Sequence, residues 1–176
     1  MVASVDEIKE LREMTGCGII DCKKAYEEAK GDKKKAVDIL RKRGLEMALK
    51  KENRMAKEGR VESYIHHGSK LGALVEVNCE TDFVARSEDF CKFAKDLAMH
   101  IAAKRPRYIR KADVPADELK KQEDQKSFVK EACLLEQNFV RDESKTIQDL
   151  LNELIAKIGE NIVISRFICY KVGEVG

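Results

Sequence analysis

The sequence predicts an α+β protein in which a small three-helix module precedes a core built from a three-stranded antiparallel sheet packed with helices. Three observations carry that expectation. Within the first 44 residues, short apolar-periodic segments are separated by glycines and by residues that cap helices. From Val61 to Asn78, and again from Ile162 to Val172, the chain is β-branched or alternating, the pattern of half-buried strands. Stretches around Phe90 and Leu150 repeat apolar residues at the helical period.

Taken in order, Ser4 to Glu7 forms a capping box that opens a helix with Ile8 and Leu11 on its apolar face. Thr15-Gly16-Cys17-Gly18 interrupts it. A second helix from Ile19 or Ile20 carries Ala25, Tyr26 and Ala29 and stops at Gly31. Asp32 then caps a third helix, with Ala36, Val37 and Leu40 inward, expected to end near Gly44. Residues 1–44 therefore read as a module too small to be very stable alone, the kind of unit that binds something. Leu45 to Glu58 reads as a charged helix with a thin apolar stripe, so residues 45–59 are expected to connect the module to a core over 60–176. In that core Val61, Ser63 and Ile65 alternate with Glu62, Tyr64 and His66, and His67-Gly68-Ser69-Lys70 turns the strand back into Leu71 to Asn78. Ser87 caps a helix that puts Phe90, Phe93, Ala94, Leu97 and Ile101 on one face. Val114-Pro115 starts another, expected to run through Leu119, Phe128, Val129, Ala132 and Leu135. Thr146 opens a strongly periodic helix closed by Gly159, and the last strand is expected to join the hairpin as its third antiparallel member.

Composition narrows the function classes. At 176 residues and 43% hydrophobic, the chain can bury one domain and a small module. Lys+Arg number 34 against 32 Asp+Glu, so the net charge of +2 argues against a general polyanion binder. No apolar run is long enough to cross a membrane, and Met1 to Glu7 lacks a basic flank and an apolar signal core, which predicts a cytoplasmic protein. Cys17, Cys22, Cys79, Cys91, Cys133 and Cys169 form no Cys-x-x-Cys pair and no paired-histidine motif accompanies them, so neither a metal site nor a disulfide frame is expected. There is no phosphate-cradling glycine motif, so no direct nucleotide binding and no cofactor are expected. A thiol or carboxylate enzyme would need a nucleophile beside a base, and no such local constellation stands out. Basic residues from Arg41 to Arg54 and from Lys104 to Lys111 leave a small nucleic-acid-binding protein as the alternative. The first of these stretches has no aromatic for stacking, and the second has one.

The stretch around which the rest is organised is Glu76-Val77-Asn78-Cys79-Glu80-Thr81-Asp82-Phe83-Val84-Ala85-Arg86. It begins as a strand and ends in residues that favour turns and caps. Asp82-Phe83 thus sits on a short corner, where the ring either plugs the core or protrudes as a wedge. These eleven residues resemble the signature of the elongation factor Ts family, the nucleotide-exchange factors of elongation factor Tu. Leu11-Arg12-x-x-Thr15-Gly16-x-Gly18-Ile19-Ile20-Asp21-Cys22-Lys23-Lys24-Ala25 is similar to the N-terminal signature of the same family, whose module has the ubiquitin-associated fold. Ile158-Gly159-Glu160-Asn161-Ile162 extends the resemblance over nearly the whole chain. Tyr26 stands where the family usually has Leu, His67 where Gly is common, and Asn138 where Pro is usual. The segment between Lys120 and Cys133 is shorter than the family's usual insert.

The resemblance implies that Arg12, Ile19, Ile20 and Lys23 contact the nucleotide-binding domain of elongation factor Tu. For Ile19 and Ile20 simple core packing is the competing reading. It also implies that Asp82 and Phe83 disturb that partner's Mg²⁺ and phosphate site, with Thr81, Val84 and, on the hairpin, His66 as further contacts. The family's enzyme-like effect is exchange, not catalysis of a bond. The chain has one Thr-Asp-Phe-Val and one Ile-Gly-Glu-Asn, so it resembles the short form that pairs with itself. A homodimer is therefore expected, with Cys169 near the interface; open sheet edges supply a physical motive.

Overall fold

The computed structural model describes residues 4–174; Met1 to Ala3, the start of the stretch Met1 to Glu7 on which the leader expectation rests, lie outside that range. Two compact units are present, one taking the chain up to Met55 together with Leu151–Asn161, the other taking Ala56–Leu150 and the chain from Ile162 onward.

The first unit starts with α1 (Val5–Thr15), α2 (Ile19–Glu28) and α3 (Lys33–Lys51). The expected caps form. Ser4 and Glu7 exchange side chain-to-backbone hydrogen bonds at 3.2 and 3.0 Å, and Gly16 ends α1 in the left-handed region. The Asp32 carboxylate accepts from Lys35 N at 3.1 Å. Ile8, Leu11, Cys22, Ala25, Tyr26, Ala29, Ala36 and Leu40 make the core of the three helices, and the Tyr26 hydroxyl donates to Glu7 at 2.5 Å. A tyrosine in place of leucine is thus accommodated by giving its polar tip a carboxylate. The third helix does not stop near Gly44, and no separate helix runs to residue 59; α3 continues to Lys51. Gly44 lies inside α3 and does not break it; a Cβ there would lie 3.6 Å from Ala156 Cβ and 3.7 Å from the Asn152 carbonyl, ordinary contact distances. Asn161 closes the stretch by donating to the Glu52 and Arg54 carbonyls at 3.3 and 2.7 Å.

The second unit holds the sheet, β1 (Glu58–Ile65), β2 (Leu71–Cys79) and β5 (Val163–Lys171), in the order β1-β2-β5 and antiparallel throughout. The third strand is where the sequence placed it. After β2 come α4 (Asp82–Arg86) and α5 (Glu88–Lys104), whose Phe90, Phe93, Ala94, Leu97 and Ile101 are buried. The helix expected after Pro115 is divided into α6 (Ala116–Lys120) and α7 (Gln125–Ala132). The division falls at Asp124, whose carboxylate accepts from Lys126 N and Ser127 N, both at 3.0 Å, and so starts a new helix. A small hairpin not foreseen from the sequence, β3 (Asn138–Phe139) with β4 (Asp142–Thr146), precedes α8 (Ile147–Ile158).

The sheet buries Ala73, Val75 and Val77 of β2 and Ile164 of β5, but the alternation of β1 runs opposite to a simple apolar-inside rule. On β1 the apolar Val61 and Ile65 face outward, while Arg60, Glu62 and Tyr64 are partly covered. Register aligns Ser63 with Leu74 and Leu74 with Ile168, and Ile65 with Gly72 and Gly72 with Tyr170. The outer face is therefore an apolar surface of Val61, Ile65, Leu74, Ile168 and Tyr170, with Tyr170 65% and Ile65 64% exposed. Glu76 and Arg166 pair on it at 2.6 Å.

Candidate functional site

Strand β2 ends at Cys79, and the chain turns into α4, only five residues long. Thr81 is its N-cap, in extended backbone with Oγ1 accepting from Val84 N at 3.4 Å. Ser87 ends α4 and begins α5. Its hydroxyl donates to the Val84 carbonyl at 2.8 Å and accepts from Phe90 N at 3.4 Å. Ala85 faces the core and Val84 is half-buried. Phe83 is 83% exposed, so the core-plug reading is excluded. The largest side chain of the corner stands in water on a backbone fixed at both ends. Asp82 is exposed beside it and forms an i,i+4 ion pair with Arg86, whose Nε also donates to the Asp82 carbonyl at 3.3 Å.

His66 lies at the other end of the hairpin. Register pairs Glu58 with Cys79 and Ile65 with Gly72, so the sheet separates His66 from the α4 corner by seven strand residues, about 23 Å. Tyr64 OH and His66 Nδ1 are 3.1 Å apart, and the tight turn closes with Ser69 N donating to the His66 carbonyl at 2.9 Å. Thr81, Asp82, Phe83 and Val84 are thus brought together, and His66 is not part of that cluster.

In the first unit, Ile19 and Ile20 are 57% and 69% exposed, which removes core packing as their explanation. They open α2 next to the exposed Arg12 and Met14 at the end of α1. Lys23 is exposed one turn on and lies 4.0 Å from Glu27.

Other chemistries find less support. All six cysteines are free, and burial pushes the Cys17, Cys22 and Cys133 thiols up, away from the reactive thiolate. Among the described residues no group of three or more His, Cys, Asp or Glu could hold a metal ion. No helix among them is long and apolar enough to cross a membrane. In the basic stretch after α5, Arg105 pairs with Glu174 at 2.9 Å, Arg107 with Glu118, and Arg110 with Asp113 at 3.7 Å. Arg107 also lies over the Phe128 ring at 5.1 Å. Its guanidinium groups are engaged within the chain.

Three features were not visible in the sequence: the outward apolar face, the inward Arg60–Glu62 pair, and a buried His100 held by Gln137 at 2.9 Å. The first had a signal in the alternation of β1, which gives the period but not the side.

A family model described as Elongation factor TS matches residues 19–125 and 124–174. The protein called Elongation factor Ts in Caldanaerobacter subterraneus subsp. tengcongensis is 50% identical, over 97% of this chain and 97% of its own length. That of Thermotoga neapolitana is 47% identical over the whole of both chains, and that of Carboxydothermus hydrogenoformans 48% over 95% and 88%. The first of these alignments spans 194 positions against a chain of 176, so that relative contains residues this chain lacks.

Proposed function

This chain belongs to the elongation factor Ts family, whose members serve translation elongation, and from that premise we propose that it is the guanine nucleotide exchange factor of elongation factor Tu. The observation that carries the reading is Phe83, an aromatic ring 83% exposed on a corner whose backbone is fixed by Thr81 and Ser87. The ring enters the nucleotide domain of the GDP-bound partner, and Asp82 hydrogen-bonds that partner's backbone. Together with Thr81 and Val84 they displace the elements that hold Mg²⁺ and phosphate. GDP leaves, the factor stabilises the empty GTPase, and GTP completes the cycle. Linkage requires this order: a factor that lowers GDP affinity has its own affinity lowered equally by GDP. No bond is made or broken, so the protein acts as an exchange factor and not as an enzyme. It needs no cofactor and binds no nucleotide, nucleic acid or membrane itself.

The N-terminal helices form the docking module of ubiquitin-associated type, with Ile19 and Ile20 as its apolar contacts and Arg12 and Lys23 beside them. Such a factor works in the cytoplasm as a homodimer. The outer sheet face suits a two-fold partner, because an isologous contact covers the same apolar patch on both copies. A second copy also answers the separation of His66 from Phe83, since one chain presents the wedge and the other its hairpin.

The test is release of a fluorescent GDP analogue from elongation factor Tu. Burying a phenylalanine contributes roughly 1.5–3 kcal/mol, so Phe83→Ala slows release by about ten- to a hundred-fold. Unchanged release by a folded variant rejects the proposal.

A further inference from the structure

A helix of five residues cannot hold its own direction, because one turn fixes several backbone angles for very few hydrogen bonds. Phe83 adds nothing by burial, so its aim depends on what grips α4 from below. Besides the buried Ala85 side chain and the turn's own cap, three side-chain donors hold its carbonyls. Cys79 Sγ donates to the Thr81 carbonyl at 3.1 Å, Ser87 Oγ to the Val84 carbonyl at 2.8 Å, and Cys91 Sγ to the Ala85 carbonyl at 3.7 Å. The first two come from residues next to α4 in the chain. The third comes from α5, and it is tied to the sheet: the Arg60 guanidinium on β1 donates to Cys91 Sγ and pairs with Glu62 at 2.8 Å.

Arg60 is the residue whose placement asks for a reason. It is turned to the covered side of a strand whose apolar Val61 faces water, and an inward cation is unfavourable unless it is paired. Its pairing has a direction. The sulfur accepts from the guanidinium and keeps its own proton for donation to the Ala85 carbonyl, two residues after Phe83. Glu62, Arg60, Cys91 and Ala85 thus form a chain of contacts from the sheet to the short helix.

We infer that Arg60 and Cys91 are positioning residues that set the aim of Phe83 by clamping the Ala85 carbonyl to the sheet. This rests on the reading of Phe83 as the wedge, and the test separates the two. The full chain is compared as wild type, Cys91→Ala, Cys91→Ser and the charge-balanced double variant Arg60→Met/Glu62→Met. Three quantities are read: the melting temperature, the rate of GDP release from elongation factor Tu at saturating factor, and the ¹⁹F resonance of Phe83 in protein carrying fluorophenylalanine. That resonance is identified by its loss in Phe83→Leu.

Cys91→Ala and the double variant are expected to keep the melting temperature within about 3 °C of wild type. They are expected to release GDP about three- to ten-fold more slowly, since a misplaced group loses rate without losing the fold. Their Phe83 resonance moves toward that of a freely rotating ring. Cys91→Ser keeps a donor for the Ala85 carbonyl and recovers most of both effects. The inference is overturned if Cys91→Ala and the double variant leave the rate and the resonance unchanged while Phe83→Ala slows release. It is equally overturned if Cys91→Ser behaves as Cys91→Ala. Should the double variant fail to fold, the two Cys91 variants decide. If Phe83→Ala leaves release unchanged, the wedge reading fails, and the resonance still decides whether Arg60 and Cys91 aim the ring.

Discussion

His100 allows a pH prediction with a magnitude. It lies on α5, fully buried, with Nε2 2.9 Å from Gln137 Oε1 and the Phe139 ring 6.1 Å away. Gln137 in turn donates to the Glu131 carbonyl at 2.5 Å. Burial pushes the imidazole down from 6.5 to about 4; the Gln137 hydrogen bond opposes this and the Lys104 charge one turn on adds to it. The folded chain therefore holds His100 neutral, while the unfolded chain protonates it below about pH 6.5. As pH falls the unfolded state takes up a proton that the native state refuses, so stability is full above 6.5 and is lost down to about 4. Linkage over that window gives a loss of roughly 2.5 kcal/mol between pH 7.5 and 4.5. The assay is urea unfolding of the wild type and of His100→Gln at both pH values. Gln can still donate to Gln137 but does not titrate. Carboxylates affect both proteins alike, so the difference between the two pH dependences isolates the histidine. The variant should be less stable at pH 7.5 and should lose about 2.5 kcal/mol less on acidification. Parallel pH profiles would refute the reasoning.

Three further outcomes are expected. Leu74→Lys/Ile168→Lys puts two charges on the apolar sheet face and should give a monomer by light scattering with an unchanged circular dichroism spectrum; a persistent dimer places the interface elsewhere. Ile20→Ala should weaken binding to empty elongation factor Tu about five-fold or more while release at saturation stays as in wild type, and a change confined to the saturated rate contradicts a docking role. Gly59→Ala should destabilise the chain by at least about 2 kcal/mol in chemical denaturation, because φ is +149° and a Cβ would meet the Val77 carbonyl at 2.3 Å; wild-type stability would mean that β1 shifts freely.

What could be read from the sequence follows the range of the forces involved. Ser4, Asp32 and Ser87 cap helices through partners three residues away, so the chain itself displays them. Gly44 was misread because a glycine near a helix end reads locally as a stop, whereas α3 carries on through it to Lys51. Asp124 restarts a helix that the apolar spacing alone would continue from Pro115. Alternation on β1 gave the strand but not its sides, since Arg60 turns inward to meet Cys91 and Glu62. For the site, pattern placed Asp82-Phe83 on a corner and left the direction of the ring open. Family resemblance favoured the outward direction, and in the structure the ring is 83% exposed.

The bare ring on α4 has a kinetic consequence. A side chain already standing in solvent has no internal seal to open before it meets another molecule, so encounter requires no preceding conformational step within this chain. Under the proposed exchange reading, orientation at encounter, and not an unsealing of the ring, is what this chain leaves to set the association rate.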